Sequence, residues 1–334
     1  MTKNIALAKN LKAVGLISGG LDSLTACLLI KQQGIEVIGL HFESPFCQYK
    51  TNLDIFQTKL GIKVHSLPLE DDFLDIIKNP KFGYGRHINP CVDCRIYILK
   101  KAKKYMKEIN ADIIFTGEVL NQRPKSQHLK ALHIVEEESG LKGKLLRPLS
   151  ALLLEPTIYE EKGLIDRSKL IGIKGRSRKS QLELARKHGL LQDYYAGGGC
   201  LLTDENYANR MEDSLKFDNV QTMEDMKILR HGRHFRFNDT KIIVGRDEKE
   251  NNILLQLRKP EDLIMEVKDV PGPVTIIQGK INKDTLNYAA SLTLRYSDLQ
   301  EPKGKVLYGN NYKNLDNIMI AKIQTDESLK KYIL

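Results

Sequence analysis

Apolar residues recur along the first half of the chain in two alternating rhythms. Lys12–Ile17 (KAVGLI) is a short, near-continuous apolar run, the pattern of a buried strand. Asp22–Gln33 has helical spacing and stops at Gly34, where a left-handed residue ends many helices. Ile35–Phe42, Lys63–Leu67 and Asp112–Thr116 repeat the strand pattern, and Leu53–Leu60 and Cys94–Ile109 the helical one. This alternation predicts an α/β fold, a parallel sheet with helices on both faces. Ligands of such sheets bind at the carboxyl ends of the strands, where the strand order reverses.

From about Met211 the texture changes. Arg233–Phe237, Lys241–Gly245, Leu263–Val267, Val274–Gln278, Lys305–Tyr308 and Asn317–Ile323 read as short strands separated by turns, with one helix at Lys283–Tyr296. The expected organisation is therefore a catalytic-sized domain over 1–212 and a smaller α+β domain over 213–334. No fixed-period repeat is visible.

Composition adds one constraint. At 334 residues, 41% hydrophobic and 28% charged, the chain is ordinary for two globular domains, which excludes disordered, collagenous and disulfide-scaffold classes. Its 52 Lys and Arg against 42 Asp and Glu leave +10, a surplus that suits a polyanionic partner. The longest apolar runs, Leu24–Ile30 and Ala151–Leu154, are far short of a membrane span. The first twenty residues show no cleavable apolar leader, so no membrane and a cytoplasmic location are expected. Much of the charge lies in two runs. Residues 95–107 carry six Lys or Arg and no acid; Gly172–Leu190 carries six, including Lys174, Arg176, Arg178 and Lys179, against one Glu. Such runs are usually solvated faces, but on a protein with a polyanionic partner they would contact its phosphates.

Ser18-Gly19-Gly20-Leu21-Asp22-Ser23 sits between the first strand and the first helix. Glycines allow a tight turn whose N–H groups meet phosphate oxygens, and the helix N-terminus adds partial positive charge. The plainer reading is a connector with Asp22 or Ser23 as helix cap. Neither a Walker A loop nor a dinucleotide fingerprint is present.

Of five cysteines, Cys91 and Cys94 lie one helical turn apart before a basic helix, and Cys200 follows a glycine run, Ala196–Gly199. Thiols at that spacing can share a metal or form a disulfide, and a helix N-terminus lowers a thiol pKa. No second CxxC or His pair completes a zinc site. Cys27 falls on the apolar face of the first helix and reads as core, while Cys47 has no evident partner.

The loop resembles the PP-loop of the N-type ATP pyrophosphatases, which cleave ATP between its α- and β-phosphates. The matching residues are Ser18, Gly19, Gly20, Asp22 and Ser23. That resemblance implies an adenine nucleotide alpha hydrolase-like fold, with Leu40, His41 and Phe42 at the end of one strand and Thr116, Gly117 and Glu118 at the end of another lining the ATP pocket. The succession of PP-loop, NPxxxC, Thr116–Gln127 and AGGGCLLTD over residues 12–215 further resembles the tRNA thiouridine synthetases, including the 4-thiouridine synthase catalytic domain and the tRNA 2-thiouridylase. What this implies is an ATP- and Mg²⁺-dependent tRNA sulfurtransferase. A uridine carbonyl oxygen is adenylated, pyrophosphate leaves, and sulfur displaces AMP. In that chemistry Asp22, Cys91, Cys94 and Cys200 would be catalytic, and Gln122, Arg123, Lys125, Gln127, Arg176, Arg178 and Lys179 would meet RNA. Family members carry sulfur either on a cysteine persulfide resolved by a second Cys or on a 4Fe-4S cluster held by three Cys. The trio here fits the cluster version, with Cys91, Cys94 and Cys200 as metal ligands.

No counterpart of the 4-thiouridine synthases' N-terminal RNA-binding module precedes Lys12, and no rhodanese domain is evident. A different tRNA grip and a separate sulfur donor, a cysteine desulfurase or free sulfide, are therefore expected. The tail, with Arg233–Phe237, Val244-Gly245-Arg246-Asp247, Asn251-Asn252 and Pro271-Gly272-Pro273, resembles the RNA-binding domain of NFACT-type proteins. That implies RNA contact near Arg246; a packing or homodimerisation module is the plainer reading. Two rivals stay open for the whole chain: a PP-loop ligase whose adenylate is attacked by nitrogen, and a non-catalytic RNA-binding protein.

Overall fold

The computed structural model describes residues 11–47, 52–191, 199–218, 220–325, 327–328 and 331–334. It divides into two compact units, Met1–Thr203 and Asp204–Leu334.

In the first unit, in chain order, are β1 (Lys12–Ile17), α1 (Leu21–Lys31), β2 (Glu36–Glu43), α2 (Asp54–Leu60), β3 (Lys63–Pro68), α3 (Phe73–Lys78), α4 (Cys91–Glu108), β4 (Ile113–Thr116), α5 (Leu129–Ser139), β5 (Leu145–Leu146), α6 (Ile158–Glu161) and α7 (Lys179–Lys187). The strands form a wholly parallel five-stranded sheet in the order β3-β2-β1-β4-β5. β1 is central and paired on both edges, along its whole length with β2 and over Ala13–Leu16 with β4, which is why its sequence is apolar without alternation. One core packs α1 and α2 against one face of the sheet through Leu24, Ala26, Ile30 and Phe56. The other packs α4 through Val92, Ile96, Leu99 and Ala102. Both-face coverage and the four longer strands match the expectation; β5 is two residues long and carries too little pattern to detect.

The order of strands reverses between β1 and β4, so a crevice opens beyond their carboxyl ends. The segments entering it are Ser18–Gly20 after β1 and Gly117–Glu118 after β4. α4 starts at Cys91 rather than Cys94, so both thiols of the CxxC belong to its first turn. Gly34 does stand in the left-handed region at φ 79°.

The second unit contains α8 (Glu205–Phe217), β6 (Arg233–Phe237), β7 (Thr240–Val244), α9 (Glu248–Leu257), β8 (Leu263–Val267), β9 (Thr275–Gly279), α10 (Lys283–Arg295), β10 (Lys303–Gly309) and β11 (Asn317–Lys322). Its strands form an antiparallel sheet in the order β11-β10-β8-β9-β7-β6, backed by α10 through Tyr288, Ala289 and Leu292. The helix α8, inside which the change of texture falls, lies whole within this unit. α9 interrupts the stretch read as strands and turns. Its polar sequence (EKENN) hides the helix, but Asp247 caps it by accepting from the Glu250 N–H at 2.8 Å.

The motifs of the tail meet at one corner of this sheet. Asn251 accepts from the Val274 N–H at 3.0 Å, the Gly245 N–H donates to the Val274 carbonyl at 3.0 Å, and a side chain at Gly245 would collide with Asn251. Arg246 is exposed at the end of β7, with its guanidinium on Glu250 at 3.2 Å.

A cavity joining the phosphate loop and the cysteines

The loop after β1 is shaped for an anion. Gly19 has φ 75°, which a side chain would resist, and Gly20 precedes α1 with no side chain capping the helix. Neither Asp22 nor Ser23 is the cap, contrary to the plainer reading of the sequence. Ser23 instead closes the loop internally, donating to the Gly20 carbonyl at 2.9 Å and accepting from the Ser18 N–H at 3.3 Å. The N-terminal N–H groups of an eleven-residue helix are thereby left toward the crevice. Gly117 lies so close beneath this turn that a Cβ would stand 2.6 Å from the Asp22 carbonyl carbon and 2.6 Å from the Ser23 nitrogen.

Loop and cysteines share one cavity of about 290 Å³. Ser18, Gly19, Gly20, Asp22, Ser23, His41, Phe42, Gly117, Gln122, Arg123 and Gln127 all line it, together with Cys91, Cys94 and Cys200. The pieces come from the ends of β1, β2 and β4, the first turn of α4 and the segment around Cys200. Residues Ala196–Gly198 of the glycine run lie outside the described residues. His41 is nearly buried and donates Nδ1–H to the Ile17 carbonyl at 2.9 Å, so it also holds the end of β1 in place.

Gln127 is buried and accepts the Arg123 N–H on its side chain at 3.1 Å, while its backbone carbonyl takes the Asn121 N–H at 2.7 Å. It shapes the 121–127 loop. Gln122 differs: its Nε2 is buried beside the cavity with no hydrogen-bond partner among the described residues, which leaves a donor available to a ligand oxygen. Lys125 is exposed, and its charge acts on Cys91. Arg176 and Lys179 are exposed and Arg178 is half-buried; none lines the cavity, but Lys179 opens α7 two residues before Gln181, which touches Asp22.

Glu118 lines the cavity as the resemblance implies, but three relationships in the site were not legible in the sequence. Gln181 is fully buried and donates to Asp22 Oδ1 at 3.1 Å. Glu118, buried on the cavity wall, is held between Arg95 Nε at 3.1 Å and Arg147 Nε at 3.1 Å. Burial alone would raise its carboxyl, but Arg95 and Arg147 outweigh that and keep it below the usual range. Arg95 is thus drawn inward from what read as a solvated basic run, and Lys101 pairs with Glu70 and Lys103 with the Gly140 carbonyl, leaving Lys100, Lys104 and Lys107 exposed. Third, Cys47 lines the same cavity.

The thiols differ from expectation. Burial pushes Cys94 up to about 12 and Cys200 to about 11, although Arg95 and Arg123 pull Cys94 down and Arg123 pulls Cys200 down. Cys91 is raised by burial as well, against a hydrogen bond from Ser126 and the charge of Lys125. Desolvation therefore outweighs the helix N-terminus, and the free trio is protonated at neutral pH. Among the described residues no three of His, Cys, Asp and Glu stand close enough to hold one metal ion. Cys91, Cys94 and Cys200 all line the cavity, and three thiols are a soft donor set that suits an iron–sulfur cluster better than a single hard ion.

Residues 9–159 match the family described as thiamine biosynthesis protein (ThiI), and residues 232–333 match the NFACT protein RNA binding domain. The chain is 27% identical over 241 residues to the tRNA-specific 2-thiouridylase MnmA of Marinomonas sp., covering 66% of this chain and 58% of that one. It is 30% identical over 147 residues to a probable tRNA sulfurtransferase of Methanocaldococcus jannaschii, covering 42% and 37%. The chain thus spans well under two thirds of the length of these relatives. Among solved structures, a 4-thiouridine synthetase–RNA complex with bound ATP aligns with 19% identity and a TM-score of 0.42, over 65% of this chain and 52% of that one. The N-terminal region of the chain is accordingly similar to the tRNA thiouridine synthetases, and the region that follows is similar to the NFACT RNA-binding domain.

Proposed function

We propose that this chain is an ATP-dependent tRNA sulfurtransferase. The observation that carries the reading is that one cavity is lined both by the phosphate loop and by three cysteines. ATP phosphates would lie on the N–H groups of Ser18–Ser23, with Asp22 as the carboxylate available to an accompanying Mg²⁺. The uridine carbonyl oxygen attacks the α-phosphate and pyrophosphate leaves along the loop, where backbone dipoles meet its charge. Gln122 Nε2 is placed to hold an oxygen of the adenylated base or nucleotide. Sulfur delivered from the Cys91, Cys94 and Cys200 wall then attacks the activated carbon, and AMP departs.

The same three thiols would hold a 4Fe-4S cluster, which when bound supplies an open iron position for sulfide. The sulfur would come from a cysteine desulfurase or from free sulfide, and the setting would be the cytoplasm; among the described residues no helix is long and apolar enough to cross a membrane. The exposed Arg176 and Lys179 beside α7, Lys125, and Arg246 in the second unit would meet tRNA phosphates.

Mass spectrometry of tRNA nucleosides from a deletion strain is the decisive test. One thiouridine should disappear and return with the wild-type gene but not with Asp22→Ala. Full thionation by Asp22→Ala would sink the reading, and loss of an aminated nucleoside instead would favour a ligase. Iron and acid-labile sulfide assays on anaerobically purified protein decide the cluster: a colourless, iron-free, active enzyme excludes it.

A further inference from the structure

Cys47 and Cys200 stand directly opposite each other in an isolated antiparallel bridge. Beside them the Leu201 N–H donates to the Phe46 carbonyl at 2.8 Å. Since 46 and 201 carry the hydrogen bond, 47 and 200 form the non-hydrogen-bonded kind of pair, whose Cα atoms lie about 4.5 Å apart and whose side chains approach most closely. A disulfide spans Cα separations of about 4.4–6.8 Å, so this backbone needs no rearrangement to accept one. Both thiols are free, partly accessible, and open onto the cavity of the phosphate loop. Cys27, the other cysteine outside the trio, is sealed in the core and has no such route.

We propose that Cys47 and Cys200 form a reversible disulfide that withdraws Cys200 from the site. A small external disulfide such as glutathione disulfide supplies the oxidising equivalents. One cysteine attacks it as thiolate, giving a mixed disulfide and one released thiol; the other displaces the second thiol. The pair loses two protons and two electrons, and the external disulfide leaves as two thiols. The consequence rests on the sulfur-transfer reading: with the bond closed, Cys200 can carry neither sulfur nor a metal, and only Cys91 and Cys94 remain. Reduction by a thiol restores it.

The test uses the full chain, reduced, treated with chelator, and then exposed to glutathione disulfide without ATP or RNA. Free thiols are alkylated, the protein is digested without reduction, and the peptides are weighed. A peptide pair joined through Cys47 and Cys200, lost on treatment with dithiothreitol, is the expected result. In Cys47→Ser and in Cys47→Ala that pair should vanish and Cys200 should be recovered alkylated or glutathionylated. Recovery of fully alkylated Cys47 from the oxidised wild type, with any bond confined to Cys91, Cys94 and Cys200, overturns the proposal. Because the readout involves no tRNA, it stands or falls separately from thiouridine formation.

Discussion

Gln181 in α7 donates its side-chain amide to the Asp22 carboxylate of the phosphate loop at 3.1 Å, across 159 residues of sequence. Asp22 is thereby aimed from a distant helix, not by its own turn. A hydrogen bond to a charged group contributes about 1.5 kcal/mol at the low end, roughly tenfold in rate if it acts in the transition state. Gln181→Ala should therefore lower RNA-dependent pyrophosphate release about tenfold, and Gln181→Glu, which sets two carboxylates together, should lower it further. Wild-type turnover in both variants would show that Asp22 needs no such support.

Gly117 lies against the backbone of the loop, where a Cβ would stand 2.6 Å from the Asp22 carbonyl carbon. Backbone cannot swing aside as a side chain can. Gly117→Ala should displace the Asp22–Ser23 turn and weaken ATP binding at least about fivefold, since forcing even one carbon into a packed contact costs about 1–3 kcal/mol. Isothermal titration with a non-hydrolysable ATP analogue reads this directly; unchanged affinity would mean that the phosphates do not depend on this turn.

Glu118 is a buried carboxylate between Arg95 and Arg147, and Arg147 is itself buried and also paired with Glu136. Glu118→Gln leaves two cations without their shared anion. Breaking such a buried pair costs about 3 kcal/mol, the lower end of the usual range because Arg147 keeps Glu136. Urea denaturation should show a clearly lower midpoint. Glu118→Gln combined with Arg147→Met should recover part of the loss, and additive effects of the two changes would argue against the coupling.

The features legible in the sequence are local ones. The strand β1, the glycine turn after it and the thiols one turn apart on α4 are each specified within a few residues, so period and motif were enough. Partnerships across the fold were not legible. Nothing near Gln181 marks it as a partner of Asp22, and Arg95 sits in a run of basic residues that reads as solvated until β4 delivers Glu118 beside it. The thiol acidity was misjudged for a similar reason: the helix terminus is visible in sequence, while the burial that outweighs it depends on segments far along the chain. Cys47 had no partner in sequence because its neighbour, Cys200, arrives from more than 150 residues away.

His234 gives the second unit a pH dependence. It is fully buried, its Nε2–H donates to the His231 carbonyl at 2.8 Å, and its Nδ1 has no partner among the described residues. Burial, with Lys241 and Arg210 nearby, holds its pKa well below 6.5 in the folded state. Above the unfolded value of about 6.5 both states are neutral and no stability is lost. As pH falls below that, the unfolded chain binds a proton that the native ring refuses, so stability falls by up to about 1.4 kcal/mol per pH unit. Urea midpoints of the full chain at pH 7.5 and 5.0 should differ accordingly, and His234→Gln should flatten that difference. A slope unchanged by the substitution would place the titration elsewhere.

The basic residues at the start of α7 and just before it offer a test that separates phosphate contact from mere solubility. Arg176 and Lys179 are exposed and Arg178 half-buried, and α7 reaches the phosphate loop through Gln181. Each cation that neutralises a phosphate releases counterions, so the logarithm of the binding constant falls with the logarithm of salt by about 0.7–0.9 per contact. Replacing Arg176, Arg178 and Lys179 by Ala should reduce the slope for tRNA binding by about two to three. Lys142 is a suitable control, since it is exposed and already engaged with Glu137 at 2.7 Å, and Lys142→Ala should leave the slope unchanged. If the triple variant and the control behave alike, the run is a solvated face and tRNA is gripped elsewhere. If only the triple variant loses slope, the run lies in the RNA footprint, and its nearness in sequence to Gln181 then links RNA contact to the helix that holds Asp22.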